Sequence, residues 1–295
     1  MAMSNKLTGI VTKGIGGFYY VEVADAIYTC KARGSFRKEG ITPLAGDRVE
    51  ITVQPDGSGV LDAVLPRRNQ LVRPPIANLD CLVIVVSMTE PAPNLQVIDK
   101  LIAIAEDKDI EPVLVFNKID LKDGEQLAAT YRKAGFDCFT MSAKEPETVE
   151  PLRCRLQGLT AAFTGNSGVG KSSILNVLEP SLQQETGEIS QKLGRGRHTT
   201  RSATLFRIGS GYLVDTPGFS SLDMELVGDT LRRDQLFYCF REFQPYFGKC
   251  RFSSCAHLKE PGCAVRAAVD EGEIAVSRYE SYVSLYEQLK DQKDW

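Results

Sequence analysis

No apolar run in this sequence is long enough to cross a membrane. The longest strongly apolar stretch, residues 81–88, falls far short of the roughly 20 residues a spanning helix needs. Residues 1–11 carry no apolar core of the kind a signal peptide has. An excess of one charge is also missing, since 35 basic and 38 acidic residues leave a formal net charge of −3. That excludes a protein that binds nucleic acid by bulk electrostatics, although a local basic patch remains open. Histidine is scarce: only His198 and His257 occur, so their positions are informative. Repeats and low-complexity tracts are absent. What is present, 43% hydrophobic and 25% charged residues, is the balance of a folded globular chain and excludes a disordered one. The expected location is the cytoplasm, where the eight cysteines are thiols or metal ligands and not disulfides.

At about 100–200 residues per domain, the 295 residues make two domains, or three if some are small. Composition changes twice along the chain. In residues 1–72 short alternating strands (18–23, 26–30, 49–53) are separated by turns at Gly16-Gly17, Gly40, Gly46-Asp47 and Pro55-Asp56-Gly57. Short strands this closely spaced predict a small β-barrel such as an OB-fold, of the sort that binds RNA. Lys31, Arg33, Arg37 and Lys38 bracket Phe36, a pattern that suits backbone contact plus base stacking. Residues 67–75 read as a linker. From there to residue 225 the strands become continuous apolar runs (81–86, 112–116, 139–141, 161–164, 212–214) separated by helical segments such as 95–107. That is the pattern of a doubly wound parallel sheet covered on both faces. Residues 226–295 are helical and aromatic. They end in an amphipathic helix bearing Tyr279, Tyr282, Val283, Tyr286 and Leu289, a stripe expected to pack in a core.

Gly165-Asn166-Ser167-Gly168-Val169-Gly170-Lys171-Ser172 fits the phosphate-loop pattern G-x-x-x-x-G-K-[ST] between an apolar strand and a helical run beginning at Ser173. Glycines let the backbone N–H groups turn toward phosphate oxygens, and the helix N-terminus adds its dipole. Lys171 is expected on the β- and γ-phosphates and Ser172 on Mg²⁺. Asn117-Lys118-Ile119-Asp120 closes one predicted strand, and Ser142-Ala143-Lys144 follows the next. The Asp120 carboxylate can accept from guanine N1–H and N2–H₂, a donor pair that adenine lacks. Lys118 would lie along the base, and the Ala143 N–H could donate to guanine O6. Asp215-Thr216-Pro217-Gly218 is similar to the D-x-x-G switch motif of GTPases. Asp215 is expected to hold Mg²⁺, and the Gly218 N–H to sense the γ-phosphate. Thr200, or else Thr199, would complete the Mg²⁺ shell.

The order of these motifs is unusual, because the base-reading segments precede the phosphate loop. The arrangement is that of a circularly permuted GTPase, and its second switch leads straight into the C-terminal region. Ordering of that switch is expected to reposition the region beyond it. Phe219 stands where many GTPases place a Gln that orients the attacking water. Intrinsic hydrolysis should therefore be slow. His198 is the candidate to orient the water or accept its proton, the alternative being a contact to RNA. No acid lies between Glu188 and Asp215, whereas Lys192, Arg195, Arg197, Arg201 and Arg207 do, which suits phosphate tracking.

Cys250, Cys255, His257 and Cys263 form C-x₄-C-x-H-x₅-C. Three thiolates and an imidazole make a closed set for one structural zinc. The remaining cysteines, Cys30, Cys81, Cys138, Cys154 and Cys239, read as core residues.

Taken together, the permuted motif order, the residue 194–201 string with its His-Thr-Thr, and the Cys250–Cys263 spacing resemble the ribosome small-subunit-dependent GTPase family (RsgA/YjeQ). The resemblance implies an OB-fold over 1–72, a permuted GTPase domain over 73–225 and a helical zinc domain over 226–295. It implies GTP hydrolysis to GDP during late small-subunit maturation, with rRNA contacts from all three regions. A monomer with no membrane partner is the expected state. Two readings compete: a nucleic-acid-binding module that nucleotide only stabilises, and a P-loop kinase or ATPase. The second conflicts with Asn117 and Asp120.

Overall fold

The computed structural model describes residues 6–72, 75–182, 203–215 and 231–291. Five strands form the N-terminal barrel: β1 (Lys6–Ile15), β2 (Phe18–Val23), β3 (Ala26–Ala32), β4 (Arg48–Val53) and β5 (Gly59–Val64), with helix α1 (Ser35–Glu39) between β3 and β4. Pairing runs β1-β2-β3-β5-β4 and closes through β1–β4, which is the OB-fold arrangement the turn spacing predicts. Its plug is Val11, Val21, Cys30, Phe36, Val49, Ile51 and Leu61. Phe36 is 4% exposed, so it fills the barrel and cannot stack on a base, contrary to the expectation above. One turn of helix buries the apolar member of a basic segment. Arg33 beside it pairs with Asp62 at 2.6 Å.

Residues 67–71 are no slack tether either. Arg67 donates to both carboxylate oxygens of the buried Asp47, each at 2.7 Å. Arg68 reaches Asp80 at 2.7 Å. Short strands β6 (Gln70–Leu71) and β7 (Ile76–Ala77) pair with each other. A charged, Pro-flanked stretch reads as a linker until the long-range partners of its arginines are known.

The central sheet contains β8 (Cys81–Ser87), β9 (Glu111–Asn117), β10 (Asp137–Met141), β11 (Thr160–Thr164), β12 (Thr204–Ile208) and β13 (Gly211–Asp215). In space the order is β10-β9-β8-β11-β13-β12. All neighbours are parallel except β12, which is antiparallel to β13. Every residue of β8 is buried, the reason for its unbroken apolar sequence. Helices α2 (Leu95–Asp107) and α3 (Glu125–Lys133) cover one face, while α4 (Glu150–Arg155) and α5 (Lys171–Leu178) cover the other. Leu152 on α4 and Leu156 at its C-terminal cap face the core, which turns Cys154 outward. Cys154 is therefore exposed and is not the core cysteine its apolar context predicts, whereas Cys138 is half-buried and packs against the central core. Strand β12 also pairs with β1 at Lys13–Thr204, joining barrel and central sheet into one eleven-stranded surface.

Residues 231–291 pack around Phe240, Phe243, Tyr282 and Leu285, carried by two 3-10 turns (Leu236–Cys239, Arg241–Tyr246) and helices α6 (Ala264–Asp270) and α7 (Val276–Gln288). Helix α2 has two masters. Ile98, Leu101, Ile102 and Ala105 face the central core, whereas Ala103 belongs to the C-terminal one. Among the described residues, no helix is long and apolar enough to cross a membrane.

Candidate functional site

At the carboxyl ends of β9, β10 and β11 three loops meet, at the point where the chain, having built β8, β9 and β10 outward, returns to lay β11 on the other side of β8. In open α/β sheets, such reversals create the ligand crevice. The residue 165–172 loop leaves β11 and enters α5 at Lys171. Gly165 has φ +140°, and a Cβ there would sit 2.3 Å from the Val85 carbonyl oxygen. Gly170 has φ +98°, and its Cβ would lie 2.2 Å from Asn117 Nδ2. Both glycines are required by close backbone approach as well as by the left-handed φ. Asn166, Ser167 and Gly168 lie on the exposed tip of the loop, Val169 is buried beneath it, and Ser172 and Ser173 are half-buried.

Asn117 braces the site. Its buried amide donates to the Val169 carbonyl at 2.8 Å and its oxygen accepts from the Ala143 N–H at 3.2 Å. One side chain thus ties the phosphate loop to both of the loops expected to read the base. Lys118, at φ +69°, donates to Gly168 O at 2.7 Å and to Glu90 O at 2.5 Å. Asp120 accepts from Ser142 Oγ at 2.8 Å and from Lys144 Nζ at 2.9 Å. These two donors, the Lys144 ammonium foremost, hold its carboxyl below the usual range. An ionised Asp120 is a pure acceptor, as guanine recognition requires. Lys171 Nζ donates to Gly165 O at 2.7 Å and Asn166 O at 2.8 Å, and burial pushes its ammonium down to about 8.

Asp215 ends β13 on the strand adjoining β11. Its side chain and residues His198, Thr199, Thr200, Gly218 and Phe219 lie outside the described residues, as does the second switch that was expected to move the C-terminal region. Arg207, grouped above with the phosphate-tracking loop, instead belongs to β12. There it reaches Glu22 and Asp25 of the barrel, each at 2.9 Å.

Cys250, Cys255, His257 and Cys263 converge, with their ligand atoms all within 4.8 Å of one another. His257 Nδ1 lies 3.5 Å from Cys250 Sγ and 3.4 Å from Cys263 Sγ. Sulfur and nitrogen donors at such separations fit one tetrahedral zinc. Burial pushes the Cys255 thiol up to about 12 and the His257 imidazolium down. Thiolates crowded here need a cation to offset them, and a neutral imidazole is ready to ligate.

Sequence reasoning missed the parts that hold this knuckle. Glu260 accepts backbone N–H bonds from Ala256, Leu258 and Lys259 at 2.9–3.0 Å. Tyr279 and Tyr282, read as packing residues, also donate their hydroxyls to His257 O at 2.8 Å and Ala256 O at 3.1 Å. It also missed Arg278, 1% exposed, which bonds Asp99 of α2 at 2.5 Å and Glu242 at 2.6 Å. Tyr131 donates to the same Asp99 oxygen at 2.9 Å. Only the arginine's place among tyrosines at helical spacing hinted that it is buried.

A model of the RsgA GTPase family matches residues 64–225, and one of the RsgA N-terminal domain matches residues 8–61. The chain is 43% identical over 292 residues to a small ribosomal subunit biogenesis GTPase RsgA from Caldanaerobacter subterraneus, covering 98% of this chain and 97% of that protein. It is also 43% identical over 282 residues to one from Moorella thermoacetica, covering 95% and 96%. Among solved structures, YjeQ from Thermotoga maritima superposes with a TM-score of 0.82 at 36% identity, over 98% of this chain and all of that one. YloQ, described as a circularly permuted GTPase, superposes with a TM-score of 0.83 at 33% identity, over 100% and 99%.

Proposed function

The chain belongs to the RsgA family of GTPases, and from that premise we propose that it hydrolyses GTP to GDP and phosphate when docked on the small ribosomal subunit, as a late maturation factor. The observation that carries this reading is the brace at Asn117, which holds a phosphate loop and two base-reading loops together although the chain visits them in permuted order. The division of labour follows residues 1–72, 73–225 and 226–295, with rRNA contacts from each. The protein acts in the cytoplasm as a monomer.

Guanine is read by Asp120, kept ionised by Lys144 and Ser142. Lys118, and the backbone at Ala143, shape the pocket around the base. Phosphates are held by the N–H groups of residues 165–173 and by Lys171. Ser172, Asp215 and Thr200 would hold Mg²⁺, which supplies charge neutralisation across the β- and γ-phosphates. In our reading His198 orients the water that attacks the γ-phosphorus, the bond to the β–γ bridging oxygen breaks, and GDP leaves with the electron pair. Cys250, Cys255, His257 and Cys263 would hold zinc, which fixes the fold of the C-terminal domain and takes no part in the reaction.

The test is turnover of GTP and of ATP by the purified zinc-loaded protein, with and without small subunits. GTP turnover should be slow alone and rise many-fold with subunits, while ATP is ignored. Equal use of ATP, or indifference to subunits, would overturn the proposal.

A further inference from the structure

The C-terminal domain exposes aromatic rings that its core does not need. Tyr238 is 48% exposed, Phe247 62% and Phe252 45%. Tyr238 and Phe247 lie side by side, with centroids 5.7 Å apart. Both rest on Phe237, at 5.5 and 5.9 Å, and Phe237 is itself stacked on the His257 ring at 4.7 Å and 28°. The exposed pair is thus seated, through one ring, on a residue of the metal cluster. A platform held this way loses little freedom when something stacks on it.

The segment that carries Phe247 and Phe252 is basic. Between Phe243 and Lys259 there is no Asp or Glu, whereas Lys249, Arg251 and Lys259 occur. Arg251 lies over the Phe252 ring, its guanidinium carbon 5.6 Å from the centroid. From residue 238 to residue 252 there is also no Leu, Ile, Val or Met, the aliphatic anchors that apolar peptide grooves use. Exposed rings on a segment that carries Lys249 and Arg251, where the one acid of residues 238–252, Glu242, is turned inward to Arg278, match unpaired nucleic-acid bases, whose faces stack on aromatics while Lys and Arg meet the phosphates.

We propose that Tyr238 and Phe247 form a stacking platform for two unpaired RNA bases, with Lys249 and Arg251 on the flanking phosphates. The inference rests on the small-subunit reading above and gives the chemistry of one contact within it.

The experiment measures binding of three probes to the full-length zinc-loaded protein: an eight-nucleotide oligouridylate, an abasic oligomer of the same length and charge, and an RNA duplex. Tyr238→Leu and Phe247→Leu should each weaken oligouridylate binding about tenfold and leave abasic binding unchanged, with Phe247→Trp retaining wild-type affinity. One zinc per chain and unchanged basal GTP turnover report that each variant is folded. Oligouridylate affinity unaltered in the double variant, or abasic affinity lost in parallel, overturns the platform. So does a variant that loses small-subunit association while binding oligouridylate normally, which would assign the rings to a protein partner. Wild-type protein that small subunits fail to stimulate would sink the functional proposal but not the oligomer result, so the two failures are distinguishable.

Discussion

The barrel joins the nucleotide-binding region at a sheet edge, through the pairing of β1 with β12 and the ion pairs of the half-exposed Arg207 with Glu22 and Asp25. The C-terminal domain joins the same region through its interior. Arg278 is buried between Asp99 and Glu242, with its guanidinium over the rings of Phe240, Phe136 and Tyr131 at 4.6, 5.4 and 5.5 Å. Next to it Arg241 spans Glu106 at 2.8 Å and Glu111 at 2.7 Å. Screening keeps exposed pairs weak. A buried pair adds little net stability while it is complete, but losing one partner strands a charge. The Arg207 contact is therefore tolerant of a single change, and the Arg278 contact is not.

Removing the metal should break this contrast most severely. Stripping zinc with a strong chelator is expected to unfold the C-terminal domain, since structural zinc is worth roughly 10–16 kcal/mol in small peptides, and to leave barrel and nucleotide affinity standing. Hydrogen exchange would show lost protection over residues 231–291; retained protection there would mean the aromatic core suffices. Arg278→Met comes next. With Asp99 and Glu242 left unpaired, it should cost about 3–5 kcal/mol, read as a drop in urea midpoint. Adding Asp99→Leu and Glu242→Leu should recover most of the loss.

A change inside the nucleotide site sharpens the contrast by sparing both seams. Gly170→Ala places a methyl 2.2 Å from Asn117 Nδ2 at φ +98°. Strain of about 1–3 kcal/mol should weaken guanine-nucleotide binding at least several-fold, with urea stability of the C-terminal domain unchanged. Acidity supplies a milder probe. Burial holds Lys171 near 8 against an ordinary 10.5, so the unfolded chain binds this proton more tightly and stability of the nucleotide-free protein rises with pH between those values. Phosphate favours the charged form, so nucleotide binding near pH 8 should take up a proton and weaken as pH climbs further. Calorimetry in buffers of different ionisation enthalpy measures the uptake, and buffer-independent heats would count against it. Smallest of all should be Arg207→Ala, whose urea midpoint is expected to match the wild type. A clear fall would show the Arg207 contact to be stronger than the exposure of its guanidinium implies.

Much of this molecule was legible because its signals are local. Residues 165–172 set loop and helix start by spacing alone, continuous apolar runs marked strands buried on both faces, and four ligands within fourteen residues announced a metal. The misreadings share another cause. Phe36, Cys154 and Arg207 sit in short segments whose composition fits two environments, and only packing chose between them: Phe36 into the barrel, Cys154 out to solvent, Arg207 across to Glu22.

The chain's local chemistry could be read from its order of residues, because a phosphate loop, a carboxylate beside an N-K-x-D loop and a Cys/His cluster are each built from residues close together, whose backbone geometry follows from neighbours. Tertiary structure alone decided how those parts are joined. Arg278 meets Asp99 across 179 positions and Asn117 meets Val169 across 52, and contacts between residues so far apart leave no periodicity or spacing in the chain, since they form only after the sheet and its helices have closed.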